Sequence, residues 1–222
     1  ADAVIVNDMG PVTLSRLQIA SGSQSFRLEG GALTLSSTGG GDATAASASK
    51  AAFYCAATVP VEVATPIVLP SGNHYFYTAQ NADVTISGSI SGAGKLMKML
   101  DWTWSNVNSR FVLAGDNTHA GGTSLRSGNN VIASLTALGP KGSDVTFCGN
   151  QWKNEFVAEG DYDYSFSDDS TQDNVYLKIG ANCRFLRNYV SIAASSTLTI
   201  TAFRPMGSLS SVIASPPLVS RY

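Results

Sequence analysis

The stretch "GDNTHAGGTSLRSGNNVIASLTALG" runs from Gly115 to Gly139 and sets the fold question. Its rhythm is glycine or asparagine, a short run of alternating polar and apolar residues, then glycine or asparagine again. Alternation with a period of two places successive side chains on opposite faces of a strand. Glycine accepts the positive φ or close approach that a sharp corner needs, and asparagine tolerates it. The stretch therefore predicts short strands joined at corners.

The pattern extends in both directions. "PVTLSRLQI" sends Val12 and Leu14, then Leu17 and Ile19, inward, with a slip near Ser15 and Arg16. "FRLEGGALTLSS" does the same with Phe26, Leu28, Leu33 and Leu35. "ADVTISGSISG", "NVYLKIGANCRF" and "STLTITAF" repeat it further on. Each run has four to six residues and is bounded by Gly, Asn, Ser or Asp, which is the strand signature. No stretch sustains a 3.6-residue stripe. "GDATAASASKAAFYCAA" is Ala-rich, with Asp42 placed as an N-cap, so an irregular or helical insertion is expected near 41–57. A loop insertion is expected near 99–109.

A chain of short strands folds as a sandwich, a barrel or a solenoid. A sandwich needs tight hairpins, and the sequence contains no Asn-Gly or Asp-Gly dipeptide. Its glycines stand instead at the ends of runs, and a strand–corner–strand unit returns every 20 to 25 residues, roughly the solenoid range. The expectation is one domain over 1–222, an all-β, right-handed parallel β-helix, with a β-sandwich as the alternative.

Composition narrows the function classes. Of 222 residues, 44 % are hydrophobic, enough for a sizeable core. Only 14 % are charged, against about 25 % in ordinary soluble domains; such a hydroxyl- and amide-rich surface suits an extracellular β protein. Net charge is −2 with no basic run, which argues against nucleic acid as a partner. No apolar passage approaches the roughly 20 residues that span a bilayer. The start "ADAVIV" fits a mature end left by signal-peptide removal and fits an excised segment equally well.

The motif residues carry a resemblance. Gly92, Gly94, Leu96 and Lys98, then Leu113, Gly115, Asn117, Thr118, Gly121, Gly122 and Thr123, then Ala137, Leu138 and Gly139 resemble the autotransporter-associated β-strand repeat of bacterial passenger domains. The match covers about a quarter of the chain and appears once. It departs in two ways: "MLDWTWSNVNS" follows the lead-in, and His119 stands where an aromatic is usual. The resemblance implies a right-handed parallel β-helix on a secreted or surface-exposed bacterial protein, and no enzymatic activity. No run of amphipathic membrane strands precedes the closing "SPPLVSRY".

Chemistry-bearing groups are sparse. The densest acidic group holds Glu159, Asp161, Asp163, Asp168, Asp169 and Asp173. Asp161 and Asp163 share a strand face and are weighed as Ca²⁺ ligands against a solvated polar loop; the spacing is not that of an EF-hand. His74 and His119 lack metal or triad spacing and read as surface or corner residues. Cys55, Cys148 and Cys183 are disulfide candidates or inert thiols. Neither a cofactor nor a metal is called for. Three aromatic rows, Trp102 with Trp104, Tyr162 with Tyr164, and Tyr75 with Tyr77, are candidates for glycan stacking, for an interface, or for covering the solenoid within one chain.

A solenoid has two ends whose strand edges template further pairing unless capped. No capping helix is evident, and the N-terminal strand with Val4, Ile5 and Val6 is the candidate self-assembly element. The expected function is a structural subunit of an extracellular fibre or adhesin, a homo-oligomer or homopolymer. A glycan-binding module is the alternative, and a carbohydrate-active enzyme the third reading.

Overall fold

A computed structural model describes residues 3–22, 24–41, 45–100, 108–126, 128–147, 153–168, 175–180, 182–185, 190–191 and 198–202. The chain is nearly all β and forms a β-solenoid of stacked coils. The first coil is β1 (Ala3–Asn7), β2 (Val12–Leu14) and β3 (Leu17–Ile19), and the second β4 (Phe26–Gly30), β5 (Leu33–Leu35), the single helical turn α1 (Ala45–Ala48) and β6 (Phe53–Cys55). The third is β7 (Val61–Val63), β8 (Ile67–Val68) and β9 (Asn73–Thr78), and the fourth β10 (Asp83–Ile86), β11 (Ile90–Ser91) and β12 (Lys95–Leu100). The fifth has β13 (Arg110–Leu113) and β14 (Thr123–Leu125), and the sixth β15 (Asn129–Ile132) and β16 (Asp144–Phe147). The seventh is β17 (Lys153–Phe156), β18 (Gly160–Tyr162) and β19 (Ser165–Asp168), and the eighth β20 (Val175–Ile179), β21 (Cys183–Phe185) and β22 (Val190–Ser191). β23 (Leu198–Ala202) continues the stack.

The first strands of the coils form a nine-stranded sheet, face A, from β1 to β23. The last strands form an eight-stranded sheet, face C, from β3 to β22. Between them, face B is a four-stranded sheet from β2 to β11 and a separate pair, β18 with β21. Every pairing among the described residues is parallel, so the sandwich alternative is set aside. Ala3 faces Phe26, Val61 faces Val84, and Asn154 faces Leu177, each pair one repeat apart. The step from Phe26 to Val61 is longer because the second coil carries the α1 insertion.

Alternation becomes burial. On face A, Val61, Val63, Val84, Ile86, Phe111 and Leu113 point inward and are buried, while Glu62 and Thr85 between them are partly exposed. Along the inner side of face C, Phe53 stacks on Phe76 of the next coil at 5.1 Å, and Phe147 on Phe166 at 5.4 Å. Each fully buried side chain of this size contributes about 1.5–3 kcal/mol, repeated at every coil. Two polar features are built into this core. Asn130 donates to Asn154 across one coil step at 2.9 Å. Lys98 is fully buried, its Nζ donating to Thr78 Oγ1 at 2.9 Å and to the Met99 carbonyl at 2.6 Å.

The segment between β5 and β6 folds over the outside of face C. Tyr77 and Met99 are buried there with Ala48 and Ala51, and Tyr54 and Tyr75 pack alongside. Arg16 holds the segment by donating to the Ser49 carbonyl at 2.7 Å, and the Gly41 amide donates to the Tyr77 hydroxyl at 3.1 Å.

Candidate functional site

The first coil lies at one end of the described stack. Among the described residues, β1, β2 and β3 have a neighbour on one side only, β4, β5 and β6 respectively. Ala3 donates to Ser25 and Gly31 donates to the Asn7 carbonyl, so Ala3, Ile5 and Asn7 turn their backbone groups towards β4. By the same alternation Val4 and Val6 turn theirs to the free edge. On β2, Val12 donates to Ala32 and Leu14 accepts from Ser36, which leaves Thr13 outward. On β3, Leu17 donates to Ala52 and Ile19 accepts from Ala56, which leaves Gln18 outward. Four amides and four carbonyls thus form a three-sided template.

The side chains at this end are apolar. Val4 is 56 % exposed, Ile5 50 %, Val6 55 % and Met9 77 %. Ile5 is an inward residue, in register with Leu28, and its exposure means that no described residue covers the interior beneath the first coil. Val12, Leu14 and Leu17 are likewise only partly buried, whereas their counterparts one coil on, Leu33, Leu35 and Phe53, are buried.

The other singled-out residues are placed differently. Tyr162 and Tyr164 lie inside the solenoid: Tyr164 donates to the Leu135 carbonyl at 2.7 Å and Tyr162 to that of Ile132 at 3.3 Å. Desolvation pushes both phenols up, Tyr164 to about 12. Tyr77 is buried beneath the folded-over segment and Tyr75 is half-buried beside it. Trp102, Trp104 and Cys148 lie outside the described residues. Burial drives the Cys55 thiol up to about 11 and also raises that of Cys183, which lies against the Phe156 and Ala158 carbonyls. Asp161 and Asp163 are partly exposed, and no group of three or more metal-ligating side chains occurs among the described residues.

His74 and His119 are not surface residues: both are fully buried at the corner between faces B and C. His74 sits between two carbonyl oxygens, Ser37 at 3.0 Å from Nδ1 and Pro70 at 2.8 Å from Nε2. His119 belongs to the motif of the opening stretch, which proves to be a lock across three coils. The fifth and sixth coils have no strand on face B. In its place Asn117 accepts the Ile90 amide at 2.7 Å from the fourth coil and donates to the Ala137 carbonyl at 2.5 Å in the sixth. Thr123 donates to the Leu138 carbonyl at 2.9 Å and, its one proton committed, accepts from His119 Nε2 at 2.9 Å. Nδ1 of His119 then carries the lone pair, without a partner among the described residues. Burial holds His119 down to about 4, opposed only by the Ile90 carbonyl. Gly115 packs so closely on the Gly88 carbonyl that a methyl would overlap it, and Gly122 turns at φ +81°.

No family model matches the chain, and no curated protein or solved structure matches it significantly.

Proposed function

We propose that this chain is a structural subunit of a secreted bacterial surface fibre or adhesin, built to assemble with copies of itself and without a catalytic role. The observation that carries this reading is the first coil: among the described residues its strands pair on one side only, and its inward Ile5, Val12, Leu14 and Leu17 are less covered than their counterparts one coil on. Strand edges pair with whatever strand they meet. The motif supports the bacterial surface assignment indirectly. Asn117, Thr123 and Gly115 each perform a coil-stacking task, as expected of a repeat that builds long helices. The low charge supports an extracellular setting.

Sedimentation of the whole chain over a hundredfold concentration range, followed by electron imaging, tests the reading. Growing species and elongated particles are expected. A monomer at every concentration, with no fibres, overturns it.

A further inference from the structure

His74 is placed where a neutral imidazole leaves one contact unmet. The ring is fully buried at the corner between faces B and C. Nδ1 lies 3.0 Å from the Ser37 carbonyl oxygen, and Nε2 lies 2.8 Å from that of Pro70. A carbonyl oxygen only accepts. A neutral ring donates from one nitrogen and turns a lone pair to the other oxygen, whereas an imidazolium donates from both. Neither carbonyl takes a backbone amide among the described residues, so each relies on the ring. A Cβ on Gly94 would come within 2.6 Å of Cδ2 of His74, so glycine in the motif's lead-in lets the fourth coil close over the ring.

The two carbonyls belong to different parts of the chain. Pro70 lies in the third coil, between β8 and β9. Ser37 lies in the strap 36–41 that leaves β5 and passes over the Tyr75 ring on the outside of face C. A Cβ on Gly40 would meet Cγ of Tyr75 at 2.8 Å, and the Gly41 amide donates to the Tyr77 hydroxyl at 3.1 Å. Ser36 and Ser37 donate to the Leu14 and Ser15 carbonyls of the first coil. No carboxylate occurs in the segments around the ring, 33–41, 50–55, 67–78 and 90–100. Their charged side chains are Lys50, Lys95 and Lys98, and the other titratable ones are Tyr54, Cys55, Tyr75 and Tyr77. The partners of an imidazolium at this corner are therefore the two carbonyl dipoles.

We propose that His74 is a pH-dependent latch: its imidazolium ties the strap 36–41 to the third coil, and loss of one ring proton as the pH rises lets the strap lift from Tyr75. The latch is closed in acid and opens towards alkaline pH. That sign is opposite to the one for His119, which burial keeps neutral. The latch stands independently of the assembly reading.

Nitrogen-15 NMR of the histidine-labelled chain reads the ring itself. At pH 6 both nitrogens of His74 are expected to carry a proton, and a singly protonated ring at that pH overturns the proposal. Hydrogen exchange then follows the strap. Between pH 6 and pH 9 the protection factors of the Ser37, Gly39 and Gly41 amides are expected to fall by about tenfold or more, the worth of one charge-assisted bond. Those of Ala79 and Leu96, bonded between coils, are expected to hold. Equal strap protection at the two pH values overturns the latch. His74→Gln has no proton to lose in this range, so its strap is expected to show equal protection at both; a pH-dependent fall that persists in it assigns the effect to another group and also overturns the latch. If that variant does not fold, the ring protons and the strap exchange of the unmodified chain decide the matter.

Discussion

His119 makes the fold sensitive to mild acid, and the size of the effect follows from its surroundings. In the folded chain its pKa is held down to about 4 by burial, against about 6.5 for a free imidazole. The native state therefore refuses a proton that the unfolded state accepts. Stability is at its full value above pH 6.5 and falls as the pH drops towards 4, by about 1.4 kcal/mol per unit in the middle of that window. By pH 4.5 the loss amounts to about 2.5 kcal/mol, a large share of an ordinary domain's stability. Carboxylates titrate in the same range, so the measurement is a difference. His119→Phe keeps a ring in the buried site and leaves the Thr123 bond to Leu138 in place. Urea unfolding of both chains at pH 7.5, 6, 5 and 4.5 gives two stability curves. The curves are expected to converge or cross as pH falls, the variant gaining about 2.5 kcal/mol relative to the parent. Parallel curves refute the burial argument and with it the placement of Nδ1.

The close stack at the corners makes Gly115→Ala costly, by about 2–3 kcal/mol in urea unfolding, because the methyl meets the Gly88 carbonyl. Gly22→Ala, with open space around it, is expected to change stability by less than about 0.5 kcal/mol. Asn117→Ala strips partners from the Ile90 amide and the Ala137 carbonyl inside the lock and is expected to cost about 2–4 kcal/mol; a cost below about 1 kcal/mol removes its bridging role. With its thiol pushed up to about 11, Cys55 is expected to resist iodoacetamide at pH 8 in the folded chain and to react in 8 M urea, as read by peptide mass mapping. Labelling at equal rates in both states contradicts its burial.

Much of the architecture was legible because it is local. Alternation at Val84 and Ile86 and the missing hairpin dipeptides both lead to parallel coils, and the pairing register bears this out. The motif from Leu113 to Gly139 located a corner but not its mechanism. Asn117 reaches the fourth and sixth coils at once, and no spacing within one chain segment reveals that. The histidines, read as surface or corner residues, sit at a corner but buried, for a related reason. His74 looks like a surface residue in "NHYFY" until the insertion brings the Ser37 carbonyl against its ring. The "DYDYSF" row is instructive: its alternation already separates Tyr162, Tyr164 and Phe166 from Asp161 and Asp163. Which side faces inward depends on carbonyls from the sixth coil that receive the phenols. Lys98 breaks the alternation on face C, and only the assembled interior supplies its Thr78 and Met99 acceptors.

Hydrogen exchange at single-residue resolution tests the open first coil most directly. In dilute solution the amides of Ile5 and Asn7, turned towards β4, are expected to exchange slowly, and those of Val4, Val6, Thr13 and Gln18 near the rate of a free peptide. At concentrations where the chain assembles, all four fast amides become protected. Four amides that remain fast in the assembled state show that copies meet elsewhere, and contradict the account.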